Sequence, residues 1–247
     1  MEFSKWYPYY LKIALKLNLD TKKDFLSSII LSKLTSHDKS ADLNYFKILN
    51  RNKVIVIGSG PSIQNKLIQR FLINNSNSII ISADGATELC LKLNIIPDFV
   101  VTDLDGDINH ILNADKLGST LLIHAHGNNI DKIIKYVPKF RNFYGTTQIF
   151  PLYNIYNFGG FTDGDRSVFF ADEFHSKEIW MIGMDFDSSI GYYSKKMKFD
   201  LWVKRKKLSI GKQLLEMLAW KSNSILINVT TFKFNSTING ITDYKLE

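Results

Sequence analysis

One cysteine stands in the chain of 247 residues, Cys90 within the apolar run Leu89-Cys90-Leu91. No disulfide can close within the chain, a reducing cytoplasm is the compartment expected, and a thiol on an apolar face is most simply core. Runs of about 18 or more apolar residues are missing as well, so no membrane-spanning helix is expected. Lys5, Lys12, Lys16 and Asp20 interrupt the apolar residues of the N-terminus, which predicts an amphipathic helix rather than a secretory signal. The chain has no helix-turn-helix signature and no aromatic RNP motif, no P-loop lysine, no internal repeat and no long low-complexity linker. Acids are the minority charge, 24 Asp and Glu against 31 Lys and Arg, and the net charge of +7 attracts anions at long range. Most basic residues are dispersed, which favours a nucleotide over a nucleic acid. The exception is the cluster of Lys195, Lys196, Lys198, Lys204, Arg205, Lys206 and Lys207, a mobile lid over a triphosphate or a solvated charged loop.

What the chain does contain is an ordinary composition, 45% hydrophobic and 22% charged, at a length that fits one domain with an appendage. Residues 1–50 place Leu11, Ile13, Ala14, Leu15 and Leu17, then Phe25, Ile29, Ile30 and Leu34, at helix-like spacings, so an N-terminal helical segment is expected to cap the remainder of the chain. Residues 51–247 form the expected α/β catalytic domain. Its short β-branched runs are Val54 to Ile57, Ile79 to Ile81, Phe99 to Val101, Leu121 to Ile123, Ile179 to Ile182 and Ile225 to Val229, each followed by a turn and a helix-compatible segment. This alternation predicts a doubly wound, mainly parallel, Rossmann-like sheet with helices on both faces. The tail after Thr231, rich in Asn, Ser, Thr and Gly, is expected to fray.

In such a sheet ligands bind beyond the carboxyl ends of the strands, and the chemistry-bearing residues fall there. Asp84-Gly85, Asp103-Leu104-Asp105-Gly106-Asp107 and Asp163-Gly164-Asp165-Arg166 deliver carboxylates to turns, an arrangement suited to magnesium, which prefers oxygen ligands and shares them with phosphates. Asp103 and Asp105 are the leading candidates, because acids at alternate positions repel unless a cation lies between them. Asp107 is expected to cap the next helix, and Asp84 to hold an ion or a ribose hydroxyl. Gly58-Ser59-Gly60-Pro61-Ser62 precedes a helix expected from Ser62 to Leu72, and its small residues let backbone N–H groups approach phosphate oxygens. It is not a complete G-x-G-x-x-G, and a tight turn capped by Ser62 is the plainer alternative. Arg166 is suited to bind phosphate. His124-Ala125-His126-Gly127 ends another strand; with no H-x-x-x-H or C-x-x-C nearby, a phosphate-contacting or hydrogen-bonding histidine ranks above zinc.

At these loops the sequence resembles the archaeal 6-hydroxymethyl-7,8-dihydropterin pyrophosphokinase family. The similar segments are Gly58 to Ser62, Ala83-Asp84-Gly85-Ala86, Pro97 to Gly106, His124 to Gly127, Gly159-Gly160-Phe161-Thr162-Asp163-Gly164-Asp165-Arg166 and Gly183-Met184-Asp185-Phe186, spanning most of residues 53–230. The Ala-Asp-Gly and Asp-Leu-Asp turns also look like those of thiamin pyrophosphokinases. Asn128 departs from the family, which usually has an acid there, so it stays outside the expected metal set. The resemblance implies a thiamin pyrophosphokinase-like core and magnesium-dependent transfer of diphosphate from ATP to the hydroxymethyl group of a reduced pterin, as in folate and tetrahydromethanopterin biosynthesis.

It further implies Asp103, Asp105 and Asp84 as metal ligands and Asp103, Asp105, Asp165 and Arg166 as catalytic, with Asp165 expected to accept the alcohol proton. The nucleotide is assigned to Gly58, Ser59, Gly60, Pro61, Ser62, Asp84, Gly85, His124, His126 and Gly127, and the acceptor to Gly160, Phe161, Thr162 and Asp163. Tyr153, Tyr156 and Phe158 are either ring-stacking groups or core. ATP and a reduced pterin are the expected partners; nucleic acid and membrane are not, and a homodimer is left open. Alternatives are a glycosyltransferase-like enzyme using a nucleotide sugar, a thiamin pyrophosphokinase-like enzyme, and a non-catalytic nucleotide-binding module.

Overall fold

The computed structural model describes residues 2–35, 43–186, 201–231, 233 and 237–247; Lys195, Lys196 and Lys198 of the basic cluster lie outside this set. Six strands coincide with the six apolar runs: β1 (Lys53–Ile57), β2 (Ile79–Ala83), β3 (Phe99–Thr102), β4 (Thr120–Ala125), β7 (Glu178–Ile182) and β8 (Ile225–Thr231). Three more, β5 (Phe143–Thr147), β6 (Ile155–Tyr156) and β9 (Thr242–Leu246), were not expected from periodicity. All pairings are parallel, in the order β6-β5-β4-β3-β2-β1-β7-β8-β9. The winding direction therefore reverses between β1 and β7, and the carboxyl end of every strand lies on one edge. The tail is held instead of frayed where it is described, since β9 pairs Ile227 to Thr231 with Thr242 to Leu246.

Strands buried on both faces read as unbroken apolar runs, because alternate side chains enter different cores. Val54, Val56, Ile81, Phe99, Val101 and Leu122 face one cluster, and Ile55, Ile57, Ile80 and Ile182 another. Val100, Leu121 and Ile123 enter a third, with Leu31. The helices are α1 (Phe3–Leu17), α2 (Thr21–Leu34), α3 (Lys66–Asn74), α4 (Ala86–Lys92), α5 (Ile108–Lys116), α6 (Ile130–Tyr136), α7 (Asp163–Glu173) and α8 (Leu201–Ala219). The segment after Gly60 is a 3-10 turn, Pro61–Gln64, and α3 starts later with Asn65 accepting the Leu67 N–H at its cap, so Ser62 is not the helix cap. The N-terminal helices are built into the sheet: Trp6, Tyr10, Ile13 and Ala14 share the cluster of Val54 and Phe169. Among the described residues no helix is long and apolar enough to cross a membrane.

Candidate functional site

Asp84, Asp103 and Asp163 converge at the strand ends, each offering a carboxylate oxygen within 4.8 Å of the others. Asp84 follows β2; its backbone N–H donates to Val101 O (2.8 Å) and its Oδ2 accepts from Gly106 N–H (2.9 Å). Asp103 follows β3, where the next residue, Leu104, holds φ of 62° although its side chain is buried. An αL backbone costs a non-glycine residue on the order of 1 kcal/mol, and here it turns the two flanking acids apart. Asp103 Oδ1 accepts from Asp105 N–H (3.0 Å), while Asp105 Oδ1 meets Lys132 Nζ at 2.6 Å. The described carboxylate cluster thus contains Asp163 in the place expected for Asp105. Asp107 caps α5 through Asn109 N–H, as expected.

Burial, with the charges of Asp103 and Asp84, pushes the Asp163 carboxyl well above the usual carboxylate range, and Arg166 opposes the shift. Three acids this close repel one another, and hard oxygen donors alone suit a magnesium-type cation. The donor set therefore fits a divalent hard metal.

Asp163 and Arg166 ride on the first turn of α7. Thr162 and Asp165 form a capping box there: Asp165 accepts from Phe161 N–H (2.6 Å), Thr162 N–H (2.8 Å) and the Thr162 hydroxyl. Asp165 is fully buried with both oxygens bound, so its visible work is to hold the 161–162 turn. Gly160, at φ of 81°, lets that turn approach α7, since a Cβ would lie 2.6 Å from Arg166 Cα. Arg166 is buried too; its Nη2 donates to Phe161 O (2.7 Å) and Gln148 Oε1 (3.1 Å), whereas Nε and Nη1 have no hydrogen-bond partner among the described residues. Burial draws the guanidinium pKa down and the surrounding acids, Asp163 foremost, push it back up.

His124 and His126 close the far side. His124 is buried, with Nδ1 3.2 Å from the Thr146 hydroxyl, and burial followed by the Arg166 charge holds its pKa well below the ordinary value, so it is neutral. His126 Nδ1 accepts from Asn128 N–H (3.3 Å), which leaves the proton on Nε2, 3.4 Å from Asp103 Oδ2. Described His, Cys, Asp and Glu clusters include neither histidine. His124, Arg166, Thr146 and Thr147 line a small cavity whose apolar walls include Phe158 and Phe170. Phe158 also packs on the main core, stacked with Tyr156, and Tyr153 is exposed.

Three buried residues escaped sequence analysis. Asn129 ties two loops together, donating to Asp103 O (2.8 Å) and His124 O (2.7 Å) and accepting from His126 N–H (3.1 Å). Asp24, from α2, accepts from Gly127 N–H, the Tyr10 hydroxyl and Gln148 Nε2, each at 2.7 Å. Gln148 follows β5, an unexpected strand. None sits in a motif; only the partner distant in sequence gives each its meaning.

The Gly58 to Ser62 loop packs on the loop after β7. Gly58 N–H donates to Ile182 O, Gly60 N–H to Gly183 O, and Ser62 N–H to Asp185 Oδ2 at 2.7 Å. A Cβ on Gly58 would lie 2.7 Å from Gly183 O, so these glycines serve close loop packing at the switch point. The anion that Ser62 N–H receives is the protein's own carboxylate, whose pKa burial raises. Ser59, Gly60 and Pro61 remain partly exposed, as do Gly85 and Gly127; Gly127 also passes close to Lys23 Cβ.

A family model described as 6-hydroxymethylpterin diphosphokinase MptE-like matches residues 30–191. Three archaeal proteins named 6-hydroxymethyl-7,8-dihydropterin pyrophosphokinase are similar over nearly their full length. The one from Methanocaldococcus jannaschii is 40% identical over 232 residues, 88% of this chain and 96% of that protein. Those from Methanothermobacter thermautotrophicus and Pyrococcus furiosus are 36% and 37% identical over 223 residues, 88% of this chain and 95% and 94% of theirs. Among solved structures, a MAf glycosyltransferase from Magnetospirillum magneticum AMB-1 aligns at 17% identity and a TM-score of 0.49, over 79% of this chain and 34% of that one, a likeness too weak to bear on chemistry.

Proposed function

Because the chain belongs to the 6-hydroxymethylpterin diphosphokinase MptE-like family, we propose that it is an enzyme transferring diphosphate from ATP to the hydroxymethyl oxygen of 6-hydroxymethyl-7,8-dihydropterin, with release of AMP. The observation that carries the proposal is the convergence of Asp84, Asp103 and Asp163 near a buried arginine, two of whose nitrogens have no hydrogen-bond partner among the described residues. The alcohol releases its proton to solvent as its oxygen bonds to the β-phosphorus and the bond from that phosphorus to the AMP oxygen breaks. Such transfers depend mainly on alignment and on neutralising phosphate charge. Asp84, Asp103 and Asp163 would hold magnesium, which when bound supplies positive charge to the phosphate oxygens.

Arg166 binds the transferring group through Nε and Nη1. His126 steadies Asp103, and Asn129 fixes the backbone on which Asp103 sits. Asp165 shapes the turn that presents Gly160, Phe161, Thr162 and Asp163 to the acceptor. The Gly58 to Ser62 loop, Asp84-Gly85, His124, His126 and Gly127 border the nucleotide. The test is direct: purified protein, magnesium, ATP and the hydroxymethyl pterin should yield AMP and pterin diphosphate in equal amounts, followed by phosphorus NMR. A glycosyl product from a nucleotide sugar without AMP release would overturn the proposal, as would ATP binding with no turnover.

A further inference from the structure

A buried guanidinium can point its free N–H groups usefully only if its other bonds fix it. Arg166 Nη2 spends both hydrogens on Phe161 O and Gln148 Oε1. Gln148 can accept there only with its amide oxygen toward the arginine, and an amide has no intrinsic preference between its two orientations. Asp24 removes the ambiguity. A carboxylate only accepts, so Gln148 must turn Nε2 toward Asp24 Oδ2 (2.7 Å) and Oε1 toward Arg166. Asp24 is itself held by two more donors, the Tyr10 hydroxyl and Gly127 N–H, and the Gln148 backbone oxygen accepts from Trp6 Nε1 (2.7 Å). Asp24 and Gln148 are both buried, 3% exposed. A chain of hydrogen bonds therefore runs from α1 and α2 through the loop after β5 to the first turn of α7.

We propose that Asp24 and Gln148 are positioning residues of the active site, a relay that orients Arg166 so that Nε and Nη1 stay available to a phosphate. The inference rests on the functional reading above. It makes the N-terminal helices part of the catalytic apparatus, although they supply no group that touches substrate.

The relay is polar and directional, so it can be inverted. Asp24→Asn keeps one accepting oxygen for donors that now use two, Gln148 Nε2 on Oδ2 and Gly127 N–H on Oδ1, so one of them must face an N–H and the chain is disrupted at Gln148 or at Gly127. In the double variant Asp24→Asn with Gln148→Glu, the new amide donates to the new carboxylate, whose other oxygen accepts from Arg166, and the charge is conserved. Asp24→Asn is expected to lower kcat about tenfold or more with little change in KM for the pterin, and the double variant to recover most of the loss. In an Arg166→Ala background, Asp24→Asn should cost nothing further, because the two act through one interaction. Should Asp24→Asn fail to fold, Gln148→Met, which leaves Asp24 its Tyr10 and Gly127 donors, carries the same measurements. Unchanged kcat in a folded variant, an equal loss with and without Arg166, or no recovery in the double variant would overturn the relay. Affinity for magnesium ATP by calorimetry, run through the same cycle, separates the two ideas. If the wild type makes no pterin diphosphate, the functional reading fails, while loss of affinity that depends on Arg166 still supports the relay and its absence refutes it.

Discussion

Carboxylates crowded within 4.8 Å store repulsion that a bound cation relieves. The roles of single acids can be separated on that basis. Asp84→Asn, Asp103→Asn and Asp163→Asn are each expected to lower kcat/KM by about a hundredfold or more, the scale on which one electrostatic group acts on a transition state. Asp105→Asn, whose partner is Lys132, should lose less than about tenfold. Steady-state AMP release checks both. Asp84→Asn, which removes a cluster charge without removing a counter-charge of Arg166, should also raise the melting temperature of the metal-free protein by about 2–4 °C while shrinking the further rise on adding magnesium. A falling metal-free temperature would show that the repulsion is already compensated.

Cys90 gives a prediction of another kind: burial pushes its thiol up to about 12, so at pH 8 it is a neutral, shielded thiol. Mass spectrometry should find it unmodified by iodoacetamide in the native protein and alkylated once denaturant is added.

At the scale of elements, the site depends on how closely the turn before α7 approaches it. Gly160→Ala should destabilise by at least about 2 kcal/mol, from its positive φ and its conflict with Arg166 Cα, or roughly 4–8 °C in Tm. Gly118 also holds a positive φ, of 110°, but a Cβ there meets none of the described residues within 4 Å. Gly118→Ala should therefore show only the strain, and leave kcat intact where Gly160→Ala lowers it.

The six strands legible from the sequence are those whose cores are runs of Val, Ile, Leu, Phe, Trp and Met. The three that were not have other reasons to exist. In β5, Gly145 interrupts the pattern because β6 packs against it; β6 is two residues long; β9 is an edge strand, Thr242–Leu246, that is mostly exposed. A strand whose buried positions are mostly Gly and Thr, one of two residues, and one left exposed carry little apolar pattern to read. Missing β5 is also why Gln148, just beyond it, went unnoticed.

For the whole molecule, the net charge of +7 favours capture of an anionic substrate. On α8, Lys207 Nζ stands 5.9 Å from the Phe161 ring centroid, so this residue of the basic cluster borders the turn before Asp163. Replacing Lys204, Arg205, Lys206 and Lys207 with glutamine should raise KM for ATP at low ionic strength. The difference should vanish toward 1 M salt, where the Debye length is about 3 Å. A KM that does not respond at low salt would leave these residues as a solvated face.

The sequence alone determines the strand–turn–helix alternation and the deposit of Gly58, Asp84 and Asp103 just after strands and of His124 at a strand's end. Parallel strands must then carry those residues to one edge, so a shared site is a consequence of pattern. Which side chains meet there was decided by the tertiary structure. Leu104 at φ of 62° turns Asp105 toward Lys132 and leaves Asp103 to the cluster, and the docking of α7 brings Asp163 in from 60 residues away. Asp24 reaches the site only because α2 packs beside β4 and β5, 124 residues before Gln148. A residue's type and place after a strand are local properties, but the direction of a carboxylate depends on backbone torsion and on neighbours that only packing supplies.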